Sequence, residues 1–135
     1  MTKPHWIAIV GVLATTVFIS VIWHITLFEQ QYPQLGVYTR MDNPIYAFGI
    51  ATWLMGSIAL AVIFFQTNWR YQGLKGALTY ATLMAVFAVS STLMGAAAKI
   101  DIPNLALWFA LGGSSPLLHF SLLGLMLAVD TKSRK

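Results

Sequence analysis

The sequence predicts an all-α integral membrane protein: a single bundle of four transmembrane helices spanning residues 1–135, with both termini cytoplasmic. Three observations predict it. Only 9% of the 135 residues are charged while 58% are hydrophobic, with a mean hydropathy of +0.72. A soluble domain carries about 25% charged residues because its surface faces water, so the deficit marks an exterior that faces lipid. Four stretches, 6–28, 45–65, 77–98 and 105–129, contain no Asp, Glu, Lys or Arg. Each exceeds the roughly 20 helical residues that cross a hydrocarbon core. In lipid, backbone amides must bond within their own segment, which makes each stretch a helix. Finally, with the N-terminus inside, Lys3, Arg70, Lys75, Lys132, Arg134 and Lys135 fall on the cytoplasmic side, against only Arg40 and Lys99 outside. That asymmetry is the positive-inside pattern.

The first span ends in Trp23-His24-Ile25-Thr26-Leu27-Phe28-Glu29-Gln30-Gln31, with no small-x-small cleavage pattern. It is read as a retained anchor, not a signal peptide. Loop one (29–44) is the longest connection and the most polar, holding Glu29, Gln30, Gln31, Tyr32, Tyr38, Arg40, Asp42 and Asn43. Its plain role is a cap over the outer mouth of the bundle, because exposed ion pairs such as Arg40 with Glu29 or Asp42 contribute little. The second span carries Gly49, Thr52, Gly56 and Ala59 at helical spacing; the third carries Ala77, Ala81, Ala85, Ala88, Thr92 and Gly95. Small side chains let helix backbones approach closely in lipid, so these two spans are expected to pack on each other. Faces around Gly49, Gly56, Ala85 and Gly95 also offer a surface to other membrane subunits or to a second copy of the chain. In the fourth span, Gly112-Gly113-Ser114-Ser115-Pro116 predicts a kink or a break, since proline removes a backbone donor and clashes one turn back. A break would let freed backbone groups line a cavity.

Two ionisable groups lie inside the spans, His24 and His119. Intramembrane ionisable residues are functional candidates, and histidine can titrate, bind a metal or ligate haem. By helical rise, His24 lies about 6 Å below the outer boundary, and His119 about 21 Å below it if the fourth helix is continuous. A shared metal or haem therefore requires a broken fourth helix, which would bring His119 to within about 9 Å of that boundary. The candidate ligand-binding residues are His24, Glu29, Tyr32, Arg40 and His119; a metal held by His24 and His119 together requires that break. The absence of cysteine removes disulfides and thiolate sites. No phosphate-binding glycine loop, His-Glu-x-x-His or Gly-x-Ser-x-Gly is present. No acidic residue sits within a span, which argues against a small proton-coupled exporter. The basic tail is suited to anionic lipid, and nucleic acid is not an expected partner.

The stretch Trp23-His24 … Leu27-Phe28 … Tyr32 … Leu35-Gly36 … Tyr38-Thr39-Arg40, with the later Ala97-Ala98-Lys99 … Leu105 … Trp108, resembles a family of uncharacterised small bacterial four-helix membrane proteins. The resemblance implies a bacterial inner-membrane protein and adds weight to His24, Tyr32 and Arg40. It carries no catalytic role. The leading expectation is a non-enzymatic accessory or packing subunit of a membrane assembly, without a cofactor. The first alternative is a binding or transport module for a small apolar or metal-containing ligand (haem or metal) beside His24. The second is a membrane enzyme acting on a lipid or quinone.

Overall fold

The structure, a computed structural model, describes residues 6–40 and 42–132, without the side chains of Ile7 and residues 130–132. Of the residues that set the expected charge asymmetry, Lys3, Arg134 and Lys135 lie outside the described residues, as does the Lys132 side chain.

Helix α1 runs Trp6–Ser20 and continues as a π-helical segment, Val21–Leu27. Helix α2 is Tyr46–Gln66. Helix α3 begins at Gly73–Ala88, widens into a second π segment, Val89–Met94, and closes with Gly95–Ala97. Helix α4 is Leu105–Lys132. Among the described residues these four are long and apolar enough to cross a membrane, as a multi-pass membrane protein requires. A 3-10 turn, Asn68–Gln72, leads into α3, so the third helix starts four residues earlier than the charge-free stretch suggests. Gly73, at φ 58°, makes the junction.

Helix α4 passes through 112–116 as one uninterrupted helix with Pro116 inside it, so of the kink or break expected there the break is absent. The glycines there serve packing. A Cβ on Gly112 would sit 2.2 Å from Leu93 Cδ1, so α4 crosses α3 closely at that point. The Ser114 hydroxyl donates to the carbonyls of Ala110 and Leu111, which keeps this polar stretch satisfied within the helix. Asn104 caps the start of α4, accepting the Leu107 N–H at 2.9 Å.

The seam differs from the expected pairing of the second and third spans. Helix α3 packs along α4, α4 along α1, and α1 along α2. Ala77, Ala81 and Ala85 are buried on the α4 side, where a Cβ on Gly124 would meet Ala81 Cβ at 3.1 Å. The small residues of α2 face outward: Gly49, Thr52, Gly56 and Ala59 are exposed, and added Cβ atoms on the glycines would meet nothing. Helices α2 and α3 meet near the terminal end, where Tyr80 Oη donates to Leu60 O at 2.7 Å.

Two apolar clusters fill the bundle. The one toward the terminal end contains Val12, Phe64, Tyr80, Leu123 and Leu127. The other, beneath loop one, contains Tyr32, Leu35, Leu93, Ile102, Trp108 and Leu111.

Candidate functional site

Loop one folds back onto the end of α1 through consecutive turns. Phe28 N–H donates to Trp23 O, Gln31 N–H to Phe28 O, and Leu35 N–H to Tyr32 O, each at 3.1 Å. Gly36 ends the 3-10 turn Pro33–Leu35 at φ 69°, where a Cβ would press on Pro103 Cγ at 3.2 Å. This wrapping buries Tyr32 and Leu35, leaving only 6% and 1% of their surfaces accessible. A cavity of about 770 Å³ opens between this loop and the facing ends of α1 and α2. His24, Glu29, Tyr32 and Arg40, four of the five residues singled out from the sequence, line it together.

Aromatic rings form one side of the site. His24 contacts Tyr32 at a centroid distance of 5.0 Å, Tyr32 meets Tyr38 edge-on at 5.4 Å, and Tyr38 continues to Trp108 at 6.2 Å. Trp108 is anchored in turn: its indole N–H donates to Leu93 O at 3.1 Å, a carbonyl of the second π segment. The other π segment carries His24 itself. Such segments are uncommon and often accompany functional sites, because an extra residue per turn re-aims side chains and loosens backbone pairing.

Three buried polar atoms here have no hydrogen-bond partner: Tyr32 Oη, Trp23 Nε1 and Gln31 Oε1. Buried polar groups are normally paired, so a cluster of unpaired ones calls for an explanation. Burial pushes the Tyr32 phenol from 10.0 up to about 12; Tyr38 adds to this, and the neighbouring Trp23 indole opposes it. Trp23 does so without reaching hydrogen-bond geometry. Burial raises Tyr38 as well. Tyr32 therefore remains a protonated donor at any physiological pH. The charged members, Glu29 and Arg40, are exposed at the rim and formally balance.

His119 lies elsewhere. Its Nε2 is 2.9 Å from Thr16 Oγ1, and the Ser57 hydroxyl donates to the same oxygen at 3.3 Å. Thr16 Oγ in turn donates to Val12 O at 2.8 Å. With its one proton spent there, Thr16 receives the His119 N–H, which assigns the proton to Nε2. This cluster ties α1, α2 and α4 together about two helical turns, or about 12 Å of rise, below His24. With α4 unbroken, the condition for a paired-histidine metal or haem site is not met. Among the described residues no three His, Asp or Glu converge on one point. The sequence reading passed over Thr16 and Ser57, although counting along the spans would have found them. Both lie about 17 to 18 Å from the loop-one ends of their helices, close to the depth of His119.

No family model, curated protein or solved structure matches the chain.

Proposed function

We propose that the chain is a non-enzymatic binding module for a small amphipathic molecule dissolved in the membrane, held beneath loop one. The observation that carries this reading is the cavity of about 770 Å³ that loop one forms with the ends of α1 and α2, where His24, Glu29, Tyr32 and Arg40 meet among apolar side chains. The volume suits a small organic ligand, and apolar walls with a few fixed polar groups are the usual composition of such sites. Ile25, Ile45, Tyr46 and Phe48 line the cavity and are exposed toward the flanks of α1 and α2, offering an apolar path from lipid. We further propose that loop one lies outside a bacterial inner membrane and both termini lie in the cytoplasm, as the Lys and Arg asymmetry supports.

The test is to purify the protein gently from membranes, extract it with organic solvent and analyse the extract by mass spectrometry. One amphipathic species should be enriched over bulk lipid in wild type and depleted in Thr39→Phe, which fills the cavity from its exposed rim. Extracts that match bulk lipid in both proteins would contradict the reading.

A second reading, an accessory subunit of a membrane assembly, is favoured by the outward face of α2 at Gly49, Thr52, Gly56 and Ala59. The chain has no cysteine, so Gly56→Cys gives a clean cross-linking probe. A specific disulfide dimer or heteromer in native membranes supports this reading, and a monomer under the same oxidation rejects it.

A further inference from the structure

The charges on the loop-one cavity narrow the class of ligand, an inference that rests on the binding-module reading above. Two of its lining residues are formally charged, Glu29 and Arg40, and both are exposed. Among the described residues neither side chain has a hydrogen bond or an ion pair, so a carboxylate and a guanidinium line one cavity without neutralising each other. An anionic head group drawn to Arg40 would also meet Glu29, and Asp42, exposed in the same loop, adds a second negative charge. A cationic head group drawn to Glu29 would meet Arg40. A head group that carries both signs has a partner for each. The planar donor fork of arginine matches a phosphate. For the cationic end the wall also offers aromatic rings: Tyr38 and Tyr46 line the cavity with 47% and 75% of their surfaces exposed. An ammonium over such a ring is attracted by its electron-rich face. The cavity sits where α1 and α2 leave their apolar spans, and the exposed side chains of Ile25, Ile45 and Phe48 lead from it toward lipid. Charged groups on one side and hydrocarbon on the other fit a molecule that itself sits at the membrane boundary.

We propose that the cavity binds the head group of a zwitterionic phospholipid, with the phosphate on Arg40 and the ammonium on Glu29 beside the rings of Tyr38 and Tyr46. The acyl tail leaves along Ile25, Ile45 and Phe48 into the bilayer. No covalent step is part of the proposal; the site recognises the head group and holds it.

Native mass spectrometry of the intact protein in a neutral maltoside detergent tests this with two probes, lauroyl lysophosphatidylethanolamine and lauroyl lysophosphatidylglycerol. They share chain, glycerol and phosphate and differ in the ammonium. The expected result is saturable one-to-one binding of the ethanolamine lipid, about fivefold tighter than that of the glycerol lipid. Arg40→Gln should weaken it by about fivefold, the loss of one exposed ion pair. Glu29→Gln should weaken the ethanolamine lipid by a similar factor and strengthen the glycerol lipid, which erases the preference. Thr39→Phe should abolish binding of both, whereas Lys75→Gln, which removes a charge near the start of α3, should change neither. The species enriched in membrane extracts should be zwitterionic. A glycerol lipid bound as well as the ethanolamine lipid, or ethanolamine-lipid binding insensitive to Glu29→Gln, would overturn the head-group assignment; such binding, if lost in Thr39→Phe, leaves the binding-module reading standing. Binding of neither probe, together with an extract that matches bulk lipid, would overturn both.

Discussion

Removing one oxygen from Tyr32 should stabilise the ligand-free protein, whereas the same change at Tyr80 should destabilise it. Both rings are buried, at 6% and 0% exposure. The Tyr80 hydroxyl donates to Leu60 O at 2.7 Å and joins α3 to α2, whereas the Tyr32 hydroxyl has no partner. Interhelical side-chain hydrogen bonds in membranes are worth about 0.6 kcal/mol on average and up to about 1.7. Tyr80→Phe deletes such a bond, while the Leu60 carbonyl keeps its place in the backbone ladder of α2, so a loss of about 1 kcal/mol is expected. A buried hydroxyl left unpaired costs about 1–3 kcal/mol. Tyr32→Phe removes that cost while keeping the ring and its contacts with His24 and Tyr38, so a gain of about 1 kcal/mol, the lower end of that range, is expected. The assay is unfolding in mixed micelles by titration with SDS, followed by circular dichroism, on protein stripped of small molecules by detergent exchange. A loss at Tyr32 equal to that at Tyr80 would refute the reasoning, because it would mean that the Tyr32 hydroxyl is paired within the protein.

The remaining predictions probe the frame around the site. Thr16→Val should cost about 1–2 kcal/mol in the same assay by leaving Ser57 Oγ and His119 Nε2 unpaired, and should shift the His119 imidazole resonances while leaving those of His24 in place. Gly76→Ala should be among the most damaging small substitutions, since its Cβ would fall 2.1 Å from Trp69 O; Gly56→Ala, facing open space, should change stability by less than about 0.5 kcal/mol. The raised Tyr32 pKa favours the protonated phenol in the fold, so its contribution to stability is complete below pH 10.0 and is lost as pH rises toward about 12. Ultraviolet difference absorbance should show one fewer tyrosine ionising in that range in Tyr32→Phe than in wild type; equal late-ionising amplitude in the two proteins would contradict the burial described. Reporter fusions should give an active alkaline phosphatase in loop one and a fluorescent GFP after Lys135, and the reverse pattern would invert the topology.

The four helices were legible because charge exclusion is a direct consequence of lipid and needs no tertiary information. Their register was less legible. Hydropathy does not distinguish α from π geometry, so the widened segments at Val21–Leu27 and Val89–Met94 left no trace in the pattern. Small residues report that a close approach is permitted, not which neighbour makes it. The stripe of α3 does meet a helix, but that helix is α4, and the stripe of α2 meets none. The run at 112–116 was ambiguous for a similar reason. Its glycines admit Leu93 and its serine bonds the helix's own carbonyls, so the residues that would loosen a free helix here fit a packed one. In the site, polarity next to a helix end was enough to group His24, Glu29, Tyr32 and Arg40. The unpaired state of Tyr32 depends on how loop one wraps, and no spacing rule encodes it.

The central claim is that loop one and the ends of α1 and α2 hold a small membrane-soluble molecule, and mass spectrometry of organic-solvent extracts from gently purified protein tests it most directly. One amphipathic species should be enriched over bulk lipid in wild type and depleted in Thr39→Phe, which fills the cavity of about 770 Å³ from its rim. Extracts that match bulk lipid in both proteins would contradict the account.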